Sequence, residues 1–170
     1  MGIRDSDHTN VIFGLHCSAM YAKGTIITRE GAMHGASDTF SVIFHGRGSH
    51  ACRPFLSIDP ILMVTQYVNA VQAIVSHQVN PFDAAVISIT HIESGAASNV
   101  IPDSGIVEGT VRTVSSEDRI HICERLKILA ENIAHSIGGT AEWTWKGGTP
   151  ATRNDAEWVQ VAIETAKNLH

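Results

Sequence analysis

A histidine, an asparagine and an arginine stand where apolar runs of this sequence give way to glycine-rich or polar segments. His50 falls in Gly46-Arg47-Gly48-Ser49-His50-Ala51, Asn99 opens Asn99-Val100-Ile101-Pro102-Asp103, and Arg112 lies within Gly109-Thr110-Val111-Arg112-Thr113. An imidazole and a carboxamide can donate to a carbonyl oxygen, and the planar fork of a guanidinium matches a carboxylate. None of the three is a nucleophile or a base by position alone. The chain therefore reads as the substrate-gripping part of an enzyme whose reacting groups lie mostly elsewhere.

The 170 residues, 44% hydrophobic and 17% charged, suffice for one good core and are unlike a disordered tail. A net charge of -5 with no accompanying Lys/Arg run argues against nucleic acid as a partner. No apolar run approaches the roughly 20 residues that cross a bilayer, and Met1 to Asn10 lacks the apolar stretch of a signal peptide. No membrane association is expected, and a cytoplasmic location is the default. Cys17, Cys52 and Cys123 are odd in number and form no CxxC pair, which favours reduced thiols in packing roles. Of the ten histidines, His77, His121 and His135 are expected on helix surfaces and His45 and His91 on strand faces, while His8 and His170 are terminal.

The elements that must position the three polar residues form an α+β pattern. A strand over Thr39 to His45 alternates Phe40, Val42 and Phe44 on one face with Ser41, Ile43 and His45 on the other. Asp59-Pro60 then caps a helix whose stripe runs Ile61, Val64, Val68, Val71, Val75. Met63, Tyr67, Ala70 and Ile74 widen that stripe, pointing to a partner on the other flank. A strand over Ala85 to Ile92 follows, and then one in which Val107, Gly109 and Val111 share a face opposite Glu108, Thr110 and Arg112. Ser115 or Ser116 caps a second helix bearing Ile122, Leu126, Leu129, Ile133 and Ile137, which Gly138-Gly139 ends before a last strand, Thr140 to Lys146. The order βαββαβ predicts a ferredoxin-like unit, a four-stranded antiparallel sheet with two helices on one face. Outside it, strands are expected over Val11 to Leu15 and Thr25 to Thr28, and a helix starting at Asp155. Gly46 and Gly48 are expected to supply unusual backbone angles before His50.

Phe13-Gly14-Leu15-His16, Gly24-Thr25-Ile26 with Arg29 and Gly31, the segment around His50 with Pro54, Asp59-Pro60, Ser98 to Asp103 and Gly109 to Thr113 occur in order and spacing that resemble the metal-dependent aminoacylase family. That family includes hippurate hydrolases, amidohydrolases of indole-acetyl-amino acids and related carboxypeptidases, and the resemblance covers nearly the whole chain. It implies a zinc-peptidase-like catalytic domain interrupted by a ferredoxin-like lid that also forms a homodimer. The division implied is 1–37 as a catalytic-domain segment, 38–148 as the lid, and 149–170 as the returning catalytic-domain segment. By the same resemblance His16 is a metal ligand, His50 reaches the partner's active site to stabilise an oxyanion, Asn99 contacts substrate and Arg112 binds its carboxylate. His34 stands where the family often has an apolar residue.

The family's Cys-Gly-His-Asp segment, its Glu-Glu pair with the general base and its late His ligand have no match in this sequence. The expected divalent metal, zinc before manganese, cobalt or nickel, belongs to the full-length enzyme and is not expected to be held stably by this chain. The resemblance implies hydrolysis of the amide bond of N-acyl amino acids by metal-activated water, with the isolated chain inactive. The competing reading is a non-catalytic dimeric module that binds a small carboxylate. RNA binding on the open sheet face is disfavoured, because Glu108, Thr110, Glu142 and Thr144 offer no stacking aromatics.

Overall fold

A computed structural model describes residues 10–168; His8 and His170 lie outside the described residues. The elements in chain order are β1 (Gly31–His34), β2 (Asp38–His45), β3 (Ser49–His50), a 3-10 turn (Pro54–Leu56), α1 (Pro60–Gln78), β4 (Ala85–Ser94), β5 (Val100–Ile101), β6 (Ser104–Thr113), α2 (Ser116–Ile137), β7 (Thr140–Lys146), β8 (Thr152–Asn154) and α3 (Ala156–Lys167). Four strands make one antiparallel sheet in the order β4-β6-β2-β7, with β2 and β6 central. The ferredoxin-like prediction is correct, and both helices cover the same face.

The alternation in β2 places Phe40, Val42 and Phe44 inward beside Val107 and Val111 of β6. Asp59 begins α1 by accepting the Ile61 N–H at 2.8 Å, and Pro60 occupies the first turn, where a missing N–H costs nothing. Ser115 caps α2 by accepting the Asp118 N–H. Gly138, at φ 89°, ends that helix in the left-handed conformation that glycine adopts without penalty.

The rotation of α1 differs from the expected one. Met63 and Tyr67 are fully buried and Ile74 is 2% exposed, whereas Ile61 is 38% exposed. Two overlapping apolar seams run along this helix, and packing against both the sheet and α2 selects the one carrying Met63, Val64, Tyr67, Val71 and Ile74. Met63, Tyr67 and Ile74 are therefore core residues, not a flank left for a partner. Tyr67 meets Phe44 edge-on at 5.5 Å between ring centroids, and its hydroxyl donates to the Leu126 carbonyl at 3.3 Å. On α2 the small residues Ala130 and Ala134 are fully buried and let the helix approach closely, while Leu129, Ile133 and Ile137 are partly buried at the margin. His121 is half-buried, with its Nε2 out of solvent and no hydrogen-bond partner among the described residues, unlike the surface position expected.

The flanking strands also differ. Residues 11–15 and 25–28 are irregular, because a strand requires a ladder partner and none among the described residues pairs with them. The strand that does form is β1, which pairs antiparallel with β8. Asp155 caps α3 as expected, accepting the Glu157 N–H at 2.9 Å. Two short connections, 35–37 and 147–151, join this ribbon to the four-stranded sheet. Ser37 donates to the Thr149 carbonyl at 3.0 Å and Ala36 to that of Thr113 at 2.7 Å.

A buried ion pair fastens this neck. Asp38, 1% exposed at the start of β2, accepts from Arg119 of α2 at 2.7 Å and 2.5 Å on its two oxygens and from the Gly148 N–H at 2.9 Å. Burial alone would push the Asp38 carboxyl up. The Arg119 and Gly148 hydrogen bonds, with the charges of Arg119 and Arg112, outweigh it and leave the group below its ordinary value. The bond to Asp38 correspondingly pushes the Arg119 guanidinium up against the opposing effect of its desolvation.

Candidate functional site

The polar residues singled out in the sequence occupy two ends of the sheet. At the tip, β3 and β5 form a two-residue antiparallel ladder in which His50 faces Val100 and Ser49 faces Ile101. The Ala51 N–H donates to the Asn99 carbonyl at 2.9 Å, so His50 and Asn99 are neighbours, and both are exposed.

Two glycines and one aspartate build this tip. The Gly46 N–H donates to the Asp103 carbonyl at 2.8 Å, and the Gly48 N–H to the Asp103 carboxylate at 2.7 Å. A Cβ on Gly46 would lie 2.0 Å from the Ile58 carbonyl oxygen, and one on Gly48 would lie 2.6 Å from that of Ile101. Neither glycine has positive φ. Their role is close backbone approach, not the unusual angles expected from the sequence.

The His50 ring is fixed by its own chain. The Cys52 N–H donates to His50 Nδ1 at 3.2 Å. That nitrogen must be the acceptor, so in the neutral imidazole the proton sits on Nε2. His50 thus offers an N–H donor at an exposed tip.

Arg112 lies at the other end of β6, exposed on the open face and opposite Val86 of β4. The eight residue steps from Ser104 to Arg112, at about 3.3 Å each, put Arg112 roughly 26 Å from the tip end of the strand. One small substrate cannot touch both His50 and Arg112 of the same chain. The sequence motifs identified the residues but gave no sign of this separation.

His16 is at the Arg112 end. It is exposed beside His34 of β1, with 5.7 Å between ring centroids, and both line a cleft of about 740 Å³ that also takes in Cys17, Tyr21, Lys23 and Met33. His16 Nδ1 lies 2.6 Å from the Cys17 carbonyl oxygen. An oxygen of that kind only accepts, so Nδ1 carries the proton and Nε2 is left with its lone pair. A backbone carbonyl holding one ring nitrogen so that the other can ligate is the usual support of a metal-binding histidine. Among the described residues, however, no three His, Cys, Asp or Glu side chains converge, and a catalytic metal centre takes three or more protein ligands. The donor set of this chain does not fit a complete centre.

Sequence reasoning missed the Asp38–Arg119 pair, the Asp103 support of the tip and the Cys52 N–H that orients His50. Asp103 stood inside a quoted motif, so its position was available. The other two depend on contacts that no local pattern announces.

A family model described as a peptidase dimerisation domain matches residues 27–137. N-acetylcysteine deacetylase of Bacillus subtilis (strain 168) is 38% identical over 160 residues, covering 94% of this chain and 42% of that protein. Thermostable carboxypeptidase 1 of Saccharolobus solfataricus is 34% identical over 147 residues, covering 86% of this chain and 37% of that protein. Among solved structures, the YXEP protein of Bacillus subtilis, described as a dinuclear metal binding peptidase from the M20 family, superposes with a TM-score of 0.66 at 34% identity over 86% of this chain and 35% of that one. The chain spans about two fifths of the length of the curated relatives it matches.

Proposed function

This chain belongs to the M20 peptidase family and carries its dimerisation domain, and from that premise we propose that the complete protein is a divalent-metal-dependent amidohydrolase, zinc being the expected metal, that cleaves N-acyl amino acids. Residues 38–148 act as the lid, with 1–37 and 149–170 belonging to the catalytic domain. Three free cysteines suit a reducing, cytoplasmic setting.

The observation that carries this reading is the fixed tautomer of His50. Its Nε2–H donates to the amide carbonyl oxygen, and that bond strengthens as negative charge gathers on the oxygen during attack. Because the donor is held by Cys52 before substrate arrives, little reorganisation is needed at that moment. Asn99, beside it, donates its carboxamide to the same end of the substrate. Arg112 takes the free carboxylate of the amino-acid half, for which the two-pronged guanidinium is apt. The roughly 26 Å along β6 supports a division in which the tip serves the partner's substrate and Arg112 its own.

A homodimer follows from this division of labour. The exposed edge of β4 is the candidate seam, since an unpaired edge invites pairing and Val86 and Ile92 on that strand are 53% and 51% exposed. The test is an assay of the complete protein and of this chain on a panel of N-acyl amino acids with added divalent metal. The complete protein is expected to turn over and the chain alone to be inactive. A complete protein that binds such compounds without hydrolysing them would favour the carboxylate-binding module instead.

A further inference from the structure

We propose that the open face of the four-stranded sheet binds a small zwitterion, a free α-amino acid, between Lys146 and Glu108. The identity of the ligand rests on the proposed amidohydrolase reading and deepens it. Cleavage of an N-acyl amino acid frees an amino group that the substrate did not have, so a carboxylate beside it recognises the product and not the substrate.

The register of three strands builds the site. Lys146 of β7 stands opposite Thr39 of β2, which stands opposite Thr110 of β6. Two residues along, Thr144, Ser41 and Glu108 make a second row on the same face. All six line one depression of about 370 Å³. Its middle is therefore floored by four hydroxyls, with a cation and an anion at diagonally opposite corners.

The span fits the ligand. Strands about 4.8 Å apart, rising about 3.4 Å per residue, put the Cα atoms of Lys146 and Glu108 roughly 12 Å from each other. An ammonium and a carboxylate on one carbon, each in a charge-assisted bond of about 2.8 Å, need protein head groups roughly 8–9 Å apart. Both side chains are long enough to supply that from those corners. Neither Lys146 nor Glu108 takes part in an ion pair among the described residues, whereas Glu142 and Glu93 on the same face lie 3.5 Å and 3.6 Å from His45 and His91. The hydroxyls between them can donate to the carboxylate or accept from the ammonium. Exposed charges are screened, so selectivity comes from requiring both at once and not from tight binding.

L-Alanine titrated into the chain at low salt, followed by backbone amide NMR, tests the site. Amides around Ser41, Glu108 and Lys146 should shift and saturate together. N-acetyl-L-alanine lacks the ammonium and L-alaninamide lacks the carboxylate, and each should bind there at least about threefold more weakly. Glu108→Gln should abolish the preference over N-acetyl-L-alanine, Lys146→Gln the preference over L-alaninamide, and Glu142→Gln neither. All three positions are exposed, so the variants leave the core intact. No saturable shift in wild type, or preferences that survive Glu108→Gln and Lys146→Gln, would overturn the site. If Arg112→Gln removes the carboxylate preference while Lys146→Gln does not, the ligand sits at Arg112 and the Lys146–Glu108 pairing is wrong. Turnover is a separate readout: a complete protein that does not hydrolyse N-acyl amino acids would defeat the amidohydrolase reading while these binding preferences stood.

Discussion

His16 and His50 are both exposed imidazoles whose Nδ1 is held by backbone within two residues, yet they present opposite chemistry at Nε2. The Cys17 carbonyl accepts from His16 and leaves a lone pair outward, whereas the Cys52 N–H donates to His50 and leaves a proton outward. The same side chain thus turns a lone pair outward at the neck end of the molecule and an N–H outward at the tip. The supports of the two ends differ as well. The neck is fastened by a buried, bidentate ion pair between Asp38 and Arg119. The tip relies on glycines without room for a Cβ and on an exposed Asp103 carboxylate.

The sharpest consequence concerns the neck. Arg119→Ala leaves the Asp38 carboxylate buried without its guanidinium, and removing one partner of a buried pair should cost about 3 kcal/mol or more, read from denaturant unfolding. The pH dependence has a defined sign. The Asp38 carboxyl lies below its ordinary value in the folded protein, so its contribution is present above the unfolded carboxylate range near pH 4 and is lost as pH falls through the folded value. Unfolding free energy followed across that range should fall steeply in wild type, and the acid limb should flatten in Arg119→Ala. An unchanged acid limb would remove the pair from the account of the neck.

At the level of turnover the two ends should separate. In the complete enzyme His50→Ala should lower kcat by about a hundredfold or more, because its donor acts where charge develops. Arg112→Ala should instead raise KM for substrates with a free carboxylate, by the equivalent of about 1.5–3 kcal/mol, since that charge is present before and during attack. Steady-state kinetics on both variants would show the exchange of roles if these assignments are reversed. The smallest effect expected is at the tip support: Asp103→Ala loses one solvent-exposed hydrogen bond to Gly48 and should cost about 1 kcal/mol of stability, with a larger fractional loss of kcat than of substrate affinity.

The sheet was legible in the sequence because β2 and β6 alternate strictly and glycine marks the end of α2. The helix α1 was legible in extent but not in rotation. Its two apolar seams are equally periodic, and only the presence of α2 alongside decides which is buried. The irregular residues 11–15 show the opposite limit, since apolar composition favours a strand but a ladder needs a neighbour. At the candidate site, residue type and position singled out His50, Asn99 and Arg112, while His16 came from the family resemblance. The tautomers of the two histidines and the distance separating His50 from Arg112 arise from backbone contacts and strand length, and no residue type encodes them.

The central claim is that the tip of one subunit serves the substrate held at the neck end of the other. Mixed dimers of the complete protein, one subunit carrying His16→Ala and the other His50→Ala, test it directly, with each homodimer expected to be nearly inactive. The verified heterodimer should recover a substantial part of one site's activity, because one active site then has both an intact His16 and an intact His50 from across the interface. Heterodimers as inactive as the two parent homodimers would contradict the claim and return His50 to its own subunit's site.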